Sequence, residues 1–174
     1  MPTHQPLLMN APEGEKDRSK PDHFVVFTLD EQQYALPLSN VERIVRAVEI
    51  TLLPKAPEIV LGVINVRGEI IPVVNIRKRF RLPEHEITLS DHLIIAQTSR
   101  LAVALLADRV GHVLDVPETE IISAKKILPA MDYVEGVVKL EDGLILIHDL
   151  EKFLSLEEER ALERAMKGNI KKDK

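Results

Sequence analysis

Two segments of this chain, Gly62-Val-Ile-Asn-Val-Arg-Gly-Glu-Ile-Ile-Pro-Val-Val-Asn-Ile76 and Gly136-Val-Val-Lys-Leu-Glu-Asp-Gly-Leu-Ile-Leu-Ile-His-Asp-Leu150, superimpose without a gap and share nearly one apolar pattern. Gly62 falls on Gly136, Val63 on Val137, Val66 on Leu140, Ile71 on Ile145, Val73 on Ile147 and Ile76 on Leu150. Each segment is two apolar runs around a polar turn, the pattern of a β-hairpin. A weaker match sets Ala35–Val45 against Ala104–Leu114 and places Val41 opposite Val110. The pieces follow one order in both halves. The duplication predicts two similar β units, each with a hairpin leading into a short helix, separated by a polar break from Pro83 to Ser90. Short strands between turns favour small closed barrels, which leave no exposed sheet edge.

Composition fits that reading and removes several others. Hydrophobic residues make up 45% of the 174, enough for a core, and with two Tyr, four Phe and no Trp they are mostly Val, Ile and Leu in short runs. The absence of cysteine rules out disulfides, thiolate metal sites and a cysteine nucleophile, and is compatible with a reducing cytosol. Met1 to Asn10 lacks a secretory leader pattern, and no apolar run approaches the ~20 residues a spanning helix needs. A net charge of -5 argues against nucleic-acid binding. A cytoplasmic protein is expected, with membrane association only indirect.

Residues 1–22, with Pro2, Pro6, Pro12 and Pro21 among polar residues, read as a disordered lead, with folded structure starting at Phe24. Phe24–Leu29 and Tyr34–Leu38 flank the polar Asp30-Glu-Gln-Gln33 as strand, turn and strand, and Pro37 hints at an edge or a bulge. Ser39-Asn-Val-Glu42 has capping-box spacing, and Val41, Ile44, Val45 and Val48 follow a helical period, so a short helix or helical turn is expected there. Residues 155–174 read as a charged surface helix and tail. Ser155-Leu-Glu-Glu158 opens that helix, Gly168 stops it after about Lys167, and Leu162, Ala165 and Met166 give it a narrow apolar stripe.

No catalytic constellation emerges. The six histidines, His4, His23, His85, His92, His112 and His148, show no paired ligand spacing. Ser90-Asp91-His92 has the residue types of a hydrolase triad, but adjacent residues entering a strand point in different directions. No glycine-rich phosphate loop occurs among the seven glycines. His148, at the end of an apolar strand, reads as a packed residue, and Arg77-Lys-Arg79 with Arg81 as either a basic contact patch or, more often for such a run, a solvated helix face. Arg67, between Asn65 and Gly68 in a tight turn, is either a guanidinium presented at a rigid hairpin tip or an ordinary turn residue.

The ordered set Phe24-Val-Val-Phe-Thr-Leu29, Tyr34-Ala-Leu-Pro-Leu38, Val41 to Ile44, Leu53-Pro-Lys-Ala-Pro57, Gly62-Val-Ile-Asn-Val-Arg-Gly68, Ile71-Pro-Val-Val74, Asp108-Arg-Val110 and Ile145-Leu-Ile147 resembles the CheW domain. The likeness runs over residues 23–154. It implies a mainly β fold of two packed five-stranded SH3-like barrels with short connecting helices, acting without catalysis or a cofactor. It further implies an adaptor that bridges the cytoplasmic tips of chemoreceptors and the regulatory domain of a CheA-type histidine kinase, with self-association in arrays. By resemblance, Asn65, Arg67 and Gly68 fall at a partner contact, and Val41 and Val110 fall near an inter-barrel groove suited to a receptor helix. Arg43 stands where the family usually has Glu, which bears on partner preference. The alternatives are a generic SH3-like binding module and an auxiliary adaptor for a pilus-motility or developmental system.

Overall fold

The computed structural model describes residues 21–127 and 133–172, so most of the proline-rich lead lies outside the described residues. Eleven strands are formed: β1 Pro21–Leu29, β2 Gln32–Pro37, β3 Val41–Arg46, β4 Val60–Val66, β5 Glu69–Val74, β6 His92–Gln97, β7 Ala102–Ala107, β8 Arg109–Pro117, β9 Ile122–Ser123, β10 Val134–Leu140 and β11 Gly143–His148. The described residues also form three α-helices, α1 Ile76–Arg79 and α2 Ala124–Ile127 between strands and α3 Leu156–Lys172 after the last strand. The strands build two sheets, of six in the order β8-β1-β2-β11-β10-β9 and of five in the order β3-β6-β7-β5-β4. Thr51, bridged to Val63, stands beside β4 much as β9 stands beside β10.

The duplication holds at the level of hydrogen bonds. Both long hairpins carry a register irregularity at the same place, between Val60 and Gly62 and between Val134 and Gly136. After each hairpin, a side-chain oxygen caps the next turn: Asn75 accepts from the Arg77 N–H at 3.2 Å and Asp149 from the Glu151 N–H at 3.1 Å. The aligned glycines are needed for close approach. A Cβ on Gly62 would lie 2.3 Å from the Thr51 carbonyl oxygen, and one on Gly136 would lie 2.7 Å from Ile121 Cγ2.

The two units are not the two halves of the chain. The β1–β2 hairpin lies between β8 and β11, whereas β6–β7 lies between β3 and β5. Each half therefore gives its first hairpin to the sheet of the other. The joints match: β2 runs parallel to β11 with Ala35 opposite Ile147, and β7 runs parallel to β5 with Ala104 opposite Val73. The expectation of one unit on each side of Pro83 to Ser90 is corrected accordingly.

This exchange explains why β1 and β6 are apolar on both faces. Phe24 and Val26 enter a core inside the six-stranded sheet with Ala35, Val138, Ile145 and Ile147. Phe27 and Leu29 face a central core shared with Val74, Ile94, Ala96 and Leu105 of the five-stranded sheet. A third core, with Ile64, Ile71, Val73, Leu93 and Ile95, fills the five-stranded sheet. Each fully buried Leu, Ile or Phe of this kind stabilises the fold by about 1.5–3 kcal/mol.

Several local expectations are corrected. Residues 41–46 form an edge strand, not a helix; only Leu38–Asn40 make a 3-10 turn, because pairing of Val41–Arg46 with β6 outweighs the local helical spacing. Pro21 to His23, placed before the first strand by the sequence, already belong to β1, which extends along β8 as far as Pro21 opposite Pro117. Pro37 closes β2, an interior strand, and so costs the sheet no mid-strand bond. The capping box of α3 is formed reciprocally, the Ser155 N–H donating to Glu158 Oε1 at 2.8 Å and the Glu158 N–H to Ser155 Oγ at 3.1 Å. Yet α3 continues through Gly168 to Lys172, and Leu162, with no exposed surface, is part of the central core. The narrow stripe is a docking face, and the helix is an integral part of the fold.

Candidate partner interface

At the tip of the β4–β5 hairpin, Val66 faces Glu69 in register, leaving a two-residue turn of Arg67 (φ 51°) and Gly68 (φ 88°). Two successive left-handed residues match the twist of the flanking strands, but only the glycine adopts that conformation without penalty. Holding Arg67 there costs about 1–2 kcal/mol, partly offset by the Gly68 N–H bond to Asn65 Oδ1 at 2.8 Å. Asn65, Arg67 and Gly68 are all exposed. The turn is thus a rigid platform that presents a guanidinium to solvent.

Arg43 is brought to the same place from β3. A shallow depression is lined by Glu42, Arg43, Val66, Arg67, Glu69 and Ile71, with Ile95 also contributing. Among the described residues, neither arginine makes an ion pair. Val41 and Val110 sit elsewhere. Val41 pairs with Ala96 and Val110 with Phe27, and both half-buried side chains pack on the central core between the sheets. The six predicted residues therefore form two patches, linked through β3, which carries both Val41 and Arg43.

The basic run after β5 behaves differently from a solvated helix face. Arg77 is 3% exposed. Its Nη2 lies 2.6 Å from each Asp108 oxygen, and its Nη1 donates to Asp30 Oδ1 and to the Pro83 carbonyl, each at 3.0 Å. Asp108 Oδ2 also accepts the Asp30 N–H at 2.7 Å, and Asp108 Oδ1 contacts His85 Nε2 at 2.7 Å. Burial would lower the Arg77 pKa, but the bonds to Asp108 and Asp30 outweigh it and raise the value. Burial pushes Asp108 up, yet the Arg77 and His85 bonds hold its carboxyl below the usual range. The Asp108 bond, with help from the Glu86 carbonyl, raises His85. Lys78 pairs with Glu58 and Glu84, and Arg79 with Glu158. Sequence reasoning missed this junction because Asp30 and Asp108 sit in distant turns that only the exchange of hairpins brings to Arg77.

His85, Asp91 and Asp108 also place one ligand-type atom each within 4.8 Å of the others. Asp108 is already neutralised by Arg77, and Asp91 Oδ2 accepts the Thr88 N–H at 2.8 Å, so the trio belongs to the ion-pair network and the turn leading into β6. His148 is fully buried between Phe80 and Phe153, and neither ring nitrogen has a hydrogen-bond partner among the described residues. Burial, helped by Arg79, lowers its pKa to about 3. It is a neutral core residue, as its position at the end of an apolar strand suggests.

Residues 23–158, which hold both patches and the junction, match the family model described as the CheW-like domain. The chain belongs to the CheW-like family. Its relatives include the chemotaxis protein CheW of Bacillus subtilis (strain 168), 33% identical over 138 residues covering 78% of this chain and 88% of that protein. The chemotaxis protein CheW of Treponema pallidum (strain Nichols) is 29% identical over 140 residues, 77% of this chain and 82% of its own length. Among solved structures, the scaffolding protein TtCheW of Thermoanaerobacter tengcongensis matches with a TM-score of 0.72 at 32% identity, over 79% of this chain and 95% of that one. The CheW-like fold of this chain is therefore mainly β, as the resemblance implies. None of its described helices is long and apolar enough to cross a membrane.

Proposed function

We propose that the chain is a non-catalytic adaptor in chemotaxis-type signalling, coupling the cytoplasmic tips of methyl-accepting chemoreceptors to a CheA-type histidine kinase. The match of residues 23–158 to the CheW-like domain carries this reading. The proposed contacts are Asn65, Arg67 and Gly68 with Arg43 at one patch, and Val41 with Val110 at the other. A rigid turn suits recognition because little side-chain and backbone freedom remains to be lost on binding. An apolar seam between two sheets suits the apolar face of a helix. Two separate faces on one scaffold raise the effective concentration of receptor and kinase for each other and permit arrays without bond chemistry. The site of action is the cytoplasm, at the membrane only through receptors.

The test is autophosphorylation of the cognate kinase with receptor tips, with and without this protein, beside a direct binding assay. A kinase response requiring all three components supports coupling. Binding to neither partner rejects it in favour of a generic protein-binding module.

A further inference from the structure

Phe80 to Asp91 is the one covalent tie between the two halves, yet each sheet needs strands from both. The ladders that join the halves are β1 with β8, β2 with β11, β3 with β6 and β5 with β7. We propose that two copies of this chain exchange halves, so that β1–β5 of one copy complete the sheets of β6–β11 of the other.

Each of those ladders is remade unchanged in such a dimer, because the second copy supplies the same residues in the same register. The free-energy difference between closed monomer and exchanged dimer is thus confined to the linker and to concentration. Residues Pro83 to Ser90 are all exposed and, extended, reach about 26 Å. In the closed chain the first three residues of the linker are held to both halves at once. Arg77 holds the Pro83 carbonyl at 3.0 Å and Lys78 contacts Glu84 at 3.4 Å on one side, while His85 contacts Asp108 at 2.7 Å on the other. Opening sacrifices only some of these polar contacts, and no core side chain loses its neighbours.

The exchange has a consequence for the interface. Val41 belongs to the first half and Val110 to the second, so each apolar seam in the dimer is composite. One dimer carries two complete units on a flexible tether and is bivalent for whatever binds them. That consequence rests on the proposed function; the exchange itself does not.

The chain contains no cysteine, so a pair placed at the facing positions Thr28 and Arg109 reports on connectivity without background thiols. The Thr28→Cys/Arg109→Cys chain is refolded from denaturant, oxidised and run on non-reducing gels, with Thr28→Cys alone setting the background. A short tether gives an effective concentration of order mM, so covalent dimer above background should rise several-fold between refolding at about 10 μM and about 1 mM. Removing residues 84–87 strains the closed form and should shift the folded protein to a dimer by light scattering. Crosslinking only within single chains at every concentration overturns the proposal, whether or not the shortened chain folds. A folded, monomeric shortened chain overturns it as well.

Discussion

Arg77 and Asp108 form a two-point pair, one guanidinium nitrogen 2.6 Å from both carboxylate oxygens, at the junction where the two sheets trade hairpins. The Arg77 side chain is 4% exposed and that of Asp108 23%, so solvent does little to replace a lost partner. Removing one member of a buried pair leaves the other charge uncompensated. Asp108→Ala should destabilise the protein by about 3–5 kcal/mol in urea unfolding. Asp30→Ala should cost clearly less, because Asp30 is 46% exposed and supplies one bond.

His148 makes stability depend on acid. Its folded pKa of about 3 lies below its ordinary value of 6.5, so between those values the unfolded chain binds the extra proton. Its contribution to stability is fully present above pH 6.5 and falls by up to about 1.4 kcal/mol per pH unit as pH drops below it. His148→Leu removes both unpaired ring nitrogens. It should raise stability at pH 7 by about 1–3 kcal/mol and flatten the acid limb, measured by urea unfolding across pH 4–7.

Gly62→Ala and Gly68→Ala should part company. An added methyl at Gly62 meets the Thr51 carbonyl oxygen at 2.3 Å, and at Gly68 it meets nothing within 4 Å. The second change costs only the left-handed conformation, about 1 kcal/mol. The first must displace backbone and should cost about 3 kcal/mol or more, read as a drop in denaturation midpoint.

Leu162→Ala tests the standing of α3. A fully buried leucine in the central core should cost about 2–5 kcal/mol on truncation, with one cooperative transition retained. A surface helix would lose only a few tenths.

At the turn, Arg67→Glu should abolish or reduce at least tenfold the binding to one of the proposed partners while leaving the unfolding midpoint within about 0.5 kcal/mol of the parent, since Arg67 is exposed and makes no ion pair among the described residues. Arg43→Glu, which reverses the charge beside Arg67 in the same depression, should change partner preference in the same titration. Equal affinities for all three proteins would remove this depression from the interface.

Much of the architecture was legible in the sequence because each hairpin carries its own local signal. Gly62 and Gly136, the apolar runs beside them and the turns between those runs are set within fifteen residues of chain. The exchange was hidden, because a strand such as β1 records that both its faces are buried but not which strand lies beside it. Residues 41–46 misled for a related reason: their helical spacing is real, but pairing with β6 overrides it. Arg67 was found because its turn is local. Arg77 was misread because its partners Asp30 and Asp108 are joined to it only through tertiary structure, and the burial of Leu162 is likewise set by a core assembled from both halves.

The trade of hairpins also governs how this protein can be made. Thr28 pairs with Arg109 and Gln33 with Ile145, so β1 and β2 leave the ribosome well before the strands that flank them. Both edges of the β1–β2 hairpin are open until β8 is released and the β2 edge stays open until β11 is released, so the five-stranded sheet can close first. Synthesis therefore passes through a nascent stage with an apolar hairpin unpaired, a stage at which a chaperone or a neighbouring nascent chain has its best opportunity to bind.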